Sequence, residues 1–226
     1  MKIDNLTLSF GNKKVLDKVT LEIKKQEFVF IIGYSGSGKT SLIRSLIGDF
    51  KPENGDIILD DGSYLYKNLN EKTLRQYRKR IGVIFQDYKL LESKTVYENV
   101  AFAMEVCNYK DSEIIKKVPE VLEATGLLLK KDRFASELSG GEKQRVSIAR
   151  ALVHNPEIII GDEPTGNLDP KTALTIMEIF EELNRLGKTI IIATHDKNIV
   201  DSYKKRVISF KDKKIFLDEE KGSYHI

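Results

Sequence analysis

Gly33-Tyr34-Ser35-Gly36-Ser37-Gly38-Lys39-Thr40, with Ser41 behind it, fits the spacing G-x-x-x-x-G-K-[ST]. Glycines so placed permit a tight loop whose backbone N–H groups turn inward as an anion nest. The helix expected to begin near Lys39 adds the positive end of its dipole. Lys39 is then placed to reach the β- and γ-phosphates of a nucleotide, and Thr40 to offer its hydroxyl to Mg²⁺. A glycine-rich turn that binds nothing is the bland alternative. Apolar residues before the loop and helical periodicity after it favour a nucleotide triphosphate site.

A metal on Thr40 needs an acidic partner, and "EIIIGDEP" supplies one. Ile158, Ile159 and Ile160 drive a buried strand, and Asp162 emerges at its carboxyl end, where open α/β sheets hold ligands. Glu163, beside it, is placed to polarise an attacking water as general base. Gly161 stands where another bulky apolar residue is usual, so the strand either ends early or packs closely there. Farther back, "ELSGGEKQRVSIARAL", Glu137 to Leu152, opens a helix on Leu138-Ser139-Gly140-Gly141-Glu142. A serine hydroxyl and unhindered N–H groups at a helix start form a second phosphate-binding surface. Read blandly, Ser139 is an ordinary helix cap. One nucleotide has no evident need of two complete cradles in one domain. A dimer in which each protomer completes the other's site resolves the redundancy.

The elements that carry these groups follow from hydrophobic patterning. The chain has 226 residues, 41% of them apolar and 31% charged, which suits one α/β domain with an inserted subdomain. "KIDNLTLSF", "VTLEI" and the apolar run "EFVFII" read as antiparallel strands at the start. Leu42, Ile43, Leu46 and Ile47 repeat at helical spacing from Lys39 to Gly48. "GDIILD" and "IGVIF" read as strands, with an exposed basic helix, "EKTLRQYRKR", between them. From about 88 to 150 the pattern turns to helix after helix, with Val96, Val100 and Ala103 on one stripe and a second helix stopped by Gly126. The core resumes with a strand at "EIII" and a helix that turns Ala173, Ile176, Met177, Phe180 and Leu183 inward. The strand "KTIIIATH", the short helix "DKNIVDSY" and the closing strands "RVISF" and "KIFLD" follow.

Other classes recede. The longest apolar stretches, Phe28 to Ile32 and Ile190 to Ala193, fall far short of the roughly 20 residues of a membrane span. "MKIDNLTLSF" lacks the apolar segment of a signal peptide. Cys107 is the single cysteine, so no internal disulfide forms, and a reducing cytosol is expected. Net charge is +3. The basic groups at Lys24-Lys25, Arg78-Lys79-Arg80, Lys116-Lys117 and Lys204-Lys205-Arg206 lack interleaved aromatics and read as solvated faces rather than a nucleic-acid groove.

With these motifs in hand, the chain resembles the nucleotide-binding domain of ABC ATPases over essentially its whole length. Leu138 to Glu142 is similar to the family's signature sequence. The resemblance implies an α/β fold: a P-loop NTPase core of mainly parallel sheet, with an antiparallel β subdomain and an inserted helical subdomain. It implies a single domain over 1–226, ATP and Mg²⁺ as ligands, and two copies that sandwich ATP head to tail. Gln86, in "IFQD", stands where the family has a glutamine that senses γ-phosphate and metal, so Thr40, Gln86 and Asp162 form the implied metal set. His195, in "IIIATHD", stands at the switch histidine. Asn167-Leu168-Asp169 matches the loop that crosses the dimer interface. Phe10 stands where an aromatic residue stacks on adenine, although a core phenylalanine at a strand end fits it nearly as well.

Within that family, "DEPTGNLD", Asp162 to Asp169, and "FQDYKLLESKTVYENVAFAMEV", Phe85 to Val106, are similar to the branch containing the cell-division ATPase FtsE. That branch also holds lipoprotein-release and macrolide-export ATPases. The resemblance to FtsE implies an FtsX-like integral membrane partner, attachment to the cytoplasmic face of the membrane through it, and coupling to cell-wall hydrolysis. A lipoprotein-release or export ATPase is the runner-up. A soluble ABC ATPase acting on DNA or ribosomes usually carries a coiled-coil insertion or a second ATPase domain, and neither is here. A nucleotide-binding scaffold without turnover is disfavoured by the presence of both Glu163 and His195.

Overall fold

The computed structural model describes residues 1–67 and 69–225. Its two sheets differ because their strands are apolar in different ways. β3 (Phe28–Gly33) and β7 (Thr189–Ala193) are buried at every residue, and β6 (Ile158–Asp162) at its centre. Strands apolar on both faces need cover on both faces, which parallel sheets receive from crossover helices. They form the middle of a six-stranded sheet ordered β5 (Ile81–Phe85), β6, β7, β3, β8 (Arg206–Lys211) and β9 (Lys214–Glu219). All neighbours pair in parallel except β8 and β9, which form an antiparallel hairpin at the edge.

The other sheet has three antiparallel strands, with β1 (Lys2–Phe10) between β2 (Lys13–Glu22) and β4 (Asn54–Ile58). This differs from the expected succession of antiparallel strands. β3 leaves for the parallel sheet, since its uniformly apolar side chains would expose one face on a half-solvated sheet. β4 takes its place, pairing Ile57 with Ile3 of β1.

Two clusters cover the parallel sheet. One fills the space between the two sheets and includes Leu42, Ile43 and Leu46 of α1 (Lys39–Leu46). The other lies under α6 (Pro170–Arg185) and α7 (Lys197–Tyr203), with Ala173, Ile176, Met177 and Phe180 inward as expected and Leu183 partly buried. A third cluster joins α3 (Val96–Val106), α4 (Asp111–Ala124) and α5 (Gly140–Leu152). In α3 the stripe is Val96, Val100 and Met104, and Ala103 is only partly buried. α5 serves two cores, giving Val146 and Ala149 to the helical cluster and Ile148 and Ala151 to the sheet. α2 (Glu71–Arg78) is not exposed throughout: Tyr77 is buried and donates its hydroxyl to Leu46 O at 2.6 Å.

Gly161 is resolved in favour of close packing. β6 runs through it to Asp162, pairing with Ile84 and Ile192 on either side. A Cβ there would stand 2.9 Å from Pro164 Cγ, so a bulky residue would push away the turn that follows.

Candidate functional site

β3 delivers the chain into the glycine loop and α1 leads it out. Gly33 must be glycine: its φ is +150°, and a Cβ would lie 2.5 Å from Phe210 O and 2.6 Å from Ser37 Oγ. Inside the loop, Lys39 is buried, and its Nζ donates to Gly33 O at 2.6 Å and Tyr34 O at 3.2 Å. Burial pulls its pKa down, while the carboxylates of Glu163 and Asp162 hold it up. The ammonium is thus stored against the loop carbonyls, within reach of an anion seated in the nest.

At the carboxyl end of β6, Asp162 Oδ1 accepts from Thr40 Oγ1 at 3.4 Å. Burial raises the Asp162 carboxyl above its ordinary range, and the Thr40 bond works against that rise. Glu163 follows with a left-handed φ of +51°, a conformation that costs a non-glycine residue free energy. Its N–H donates to Ala193 O at 2.9 Å, so pairing to β7 fixes the turn. Glu163 Oε1 lies 2.8 Å from His195 Nδ1, and Oε2 accepts the His195 backbone N–H at 3.3 Å. The Glu163 side chain is 15% exposed and that of His195 65%. A sheltered carboxylate orients an imidazole that reaches into the open.

Residues 33–36 and 38–41, with Gln86, Glu163 and His195, line one cleft of about 670 Å³. Ser37 is buried beneath the loop. Gln86 is tied to the loop after β6, where Asn167 Nδ2 donates to Gln86 O at 3.0 Å. Thr40, Asp162 and Gln86 offer a hydroxyl, a carboxylate and an amide oxygen, a donor set suited to a hard cation that completes its shell with water and phosphate. Among the described residues, no group of three or more His, Cys, Asp or Glu is gathered to hold an ion unaided.

The other expected residues do not line this cleft. Ser139, Gly140, Gly141 and Glu142 open α5 beside the start of α6, where a Cβ on Gly141 would meet Thr172 Cγ2 at 2.7 Å. Ser139 does cap the helix. Its Oγ accepts Glu142 N–H at 3.4 Å, and Glu142 Oε2 accepts Ser139 N–H at 2.9 Å, a reciprocal box. Lys130 pairs with Glu142, and that bond leads the interactions that hold its carboxyl at about 2. Asp169 caps α6, accepting Thr172 N–H at 3.0 Å; its carboxyl is lowered chiefly by the Thr172 hydroxyl. Phe10 is 50% exposed and meets Phe50 edge-on at 5.0 Å, so it is not a core residue.

Several groups at the site carry no local sequence signal. Lys13 and Val15 of β2, Lys213 in the β8–β9 turn and Tyr224 all line the cleft. Arg150 of α5 donates to Tyr88 O at 2.7 Å and Lys89 O at 2.6 Å, holding the chain just beyond Gln86 where both residues have positive φ.

Comparison with known proteins gives the family and the fold. The family described as ABC transporter matches residues 16–166. The cell division ATP-binding protein FtsE of Mycobacterium tuberculosis is 44% identical over 98% of this chain and 96% of its own. The methionine import ATP-binding protein MetN of Carboxydothermus hydrogenoformans is 45% identical over 91% of this chain, which spans only 61% of that relative. The dimeric ABC transporter cassette MJ0796 superposes with a TM-score of 0.88 at 34% identity, over 99% of both chains. The same cassette has been solved as a dimer bound to ADP and Pi.

Proposed function

Because this chain belongs to the ABC transporter family and is an ATPase of that type, we propose that it powers an FtsE-like complex. Two copies bind ATP between them, an FtsX-like membrane protein receives the resulting movement, and cell-wall hydrolysis during division is the output. The observation that carries the chemistry is the Glu163–His195 contact of 2.8 Å in the cleft of the phosphate loop. The observation that carries the biology is identity to FtsE over nearly the full length of both chains.

The loop N–H groups and Lys39 hold the triphosphate. Thr40, Asp162 and Gln86 hold Mg²⁺, which when bound neutralises phosphate charge. Glu163 orients and deprotonates the attacking water, and His195, steered by Glu163, faces the terminal phosphate. Catalysis of this kind is chiefly positioning and charge stabilisation. Ser139, Gly140 and Gly141 lie away from their own cleft, and in a head-to-tail pair they close over the partner's nucleotide, with Glu142 fixing the Ser139 hydroxyl. Asp169 stands at the same interface, and Phe10 stacks on the adenine. The tie between Gln86 and Asn167 links the phosphate-sensing loop to that interface. Arg150 anchors the start of the helical insertion, approximately 88–150, which swings as the dimer opens.

In this reading the membrane partner also holds the chain at the cytoplasmic face; among the described residues no helix is long and apolar enough to cross a membrane. The test is affinity purification of Glu163→Gln with ATP·Mg²⁺ from host membranes. Recovery of a protein with four predicted spans and an extracellular domain between the first two supports the division role. Recovery of a permease with a substrate pocket or a lipoprotein-handling domain replaces it with export or release.

A further inference from the structure

The segment after β9 folds back over α7 and β8, pinned residue by residue. Gly222 N–H donates to Lys205 O at 3.1 Å, and Lys204 Nζ to Ser223 Oγ at 3.1 Å. Tyr224 N–H donates to Asp201 Oδ1 at 2.7 Å, and Ser209 Oγ to His225 O at 2.7 Å. Gly222 lies so near β8 that a Cβ would stand 2.6 Å from Val207 Cβ. A strap held at four successive residues has little freedom in where it aims its side chains.

Its aromatic side chain is aimed at the site. Tyr224 packs partly buried against the cluster under α6 and α7, and it lines the cleft with Tyr34, Glu163 and His195. Among the described residues its hydroxyl makes no hydrogen bond. Burial, reinforced by Glu163 and Tyr34, keeps the phenol protonated well past neutrality. The strap therefore presents a sheltered donor at the end of the cleft where Glu163 and His195 stand. A partly buried donor gains most from an anionic acceptor.

We infer that Tyr224 is a further residue of the nucleotide site: its hydroxyl donates to the terminal phosphate of bound ATP, and its ring screens that end of the cleft from bulk water. The inference rests on the reading above, in which the terminal phosphate lies beside Glu163 and His195. It names a contact from the strap, outside the glycine loop and both acidic and histidine turns.

The test measures binding of ATP·Mg²⁺, its β,γ-imido analogue and ADP by calorimetry to wild type, Tyr224→Phe and Asp201→Leu. A hydrogen bond to a charged acceptor is worth about tenfold in affinity. Tyr224→Phe is expected to weaken ATP and the analogue by about that factor, with the ADP constant unchanged and the same melting temperature. Asp201→Leu, which removes the tie at Tyr224 N–H but keeps the phenol and the other three ties, weakens the triphosphates alone by a smaller factor, and adds nothing in the Tyr224→Phe background. ATP bound as tightly by Tyr224→Phe as by wild type overturns the inference while leaving the cleft assignment intact. Equal losses for ATP and ADP also overturn it. A wild-type protein that binds neither nucleotide defeats the cleft assignment, and the inference falls with it.

Discussion

Replacing Glu163 by glutamine exchanges one carboxylate oxygen for an amide nitrogen without changing the shape of the side chain. In the structure one oxygen lies 2.8 Å from His195 Nδ1 and the other accepts the His195 N–H at 3.3 Å. The amide oxygen still accepts that N–H, and the amide nitrogen still reaches an unprotonated Nδ1. The turn is held by Glu163 N–H to Ala193 O, which the substitution leaves alone. What disappears is the charge and the capacity to take a proton from water. A general base contributes typically 10²–10⁴ in rate, about 3–5 kcal/mol of barrier. Glu163→Gln should therefore lower phosphate release at saturating ATP·Mg²⁺ by about a hundredfold or more, while ATP still binds. Light scattering should then find a dimer with ATP and not with ADP. A wild-type hydrolysis rate would refute the assignment and put the base elsewhere. A loss of turnover matched by an equal loss of ATP affinity would point instead to Lys39, whose protonation the Glu163 charge supports against burial.

Two further outcomes follow from the same geometry. Lys39→Ala removes the ammonium stored against Gly33 O and Tyr34 O, and ATP binding by calorimetry should vanish; tight binding retained would contradict the cradle. Glu142→Gln loses the ion pair with Lys130 that leads in holding the carboxyl at about 2 rather than 4.5. A depressed carboxyl stabilises the fold above its ordinary pKa and loses that contribution as pH falls through the folded value. The variant should thus melt below wild type at pH 7, by an amount corresponding to about 0.5–1 kcal/mol, with the gap closing between pH 4.5 and about 2. A gap that persisted unchanged at pH 2 would show that the pair is not its source.

The phosphate loop was legible because its chemistry is local. Glycines, lysine and threonine at fixed spacing dictate backbone and ligand together, and β3 and α1 flank them as the apolar pattern requires. The strand carrying Asp162 was legible for a similar reason, since uniform isoleucine admits only a position covered on both faces. Strand pairing was less so. β4 is short and barely apolar, and what seats it beside β1 is the need to complete a sheet, which no window of sequence contains. Lys213 and Tyr224 reach the cleft from the last turn and the strap beyond it, through contacts that join residues far apart in the chain. Ser139 reads either as cap or as phosphate donor, and the capping box is present, with its hydroxyl donating to Glu142 Oε2 at 2.9 Å; to serve as a phosphate donor the hydroxyl must turn from that carboxylate, while the unhindered N–H groups of the helix start stay free for an anion.

Gly161 has the most to say about how the site is aimed. In a strand of isoleucines it breaks the pattern, and the structure gives the reason. Pro164 folds back onto it, leaving room for no side chain larger than hydrogen without displacement. That folding back requires the chain to reverse at Glu163, which takes the left-handed conformation with its N–H on β7. The reversal points the Glu163 carboxylate toward His195, at the end of β7, rather than along the continuation of β6. A bulky residue at 161 would extend the strand's packing but lift Pro164 and swing the carboxylate off the imidazole. The irregular residue in the apolar run therefore belongs to the site as much as to the core. Backbone free energy spent at Glu163 is retained because parallel pairing on one side and proline packing on the other leave the chain no relaxed route.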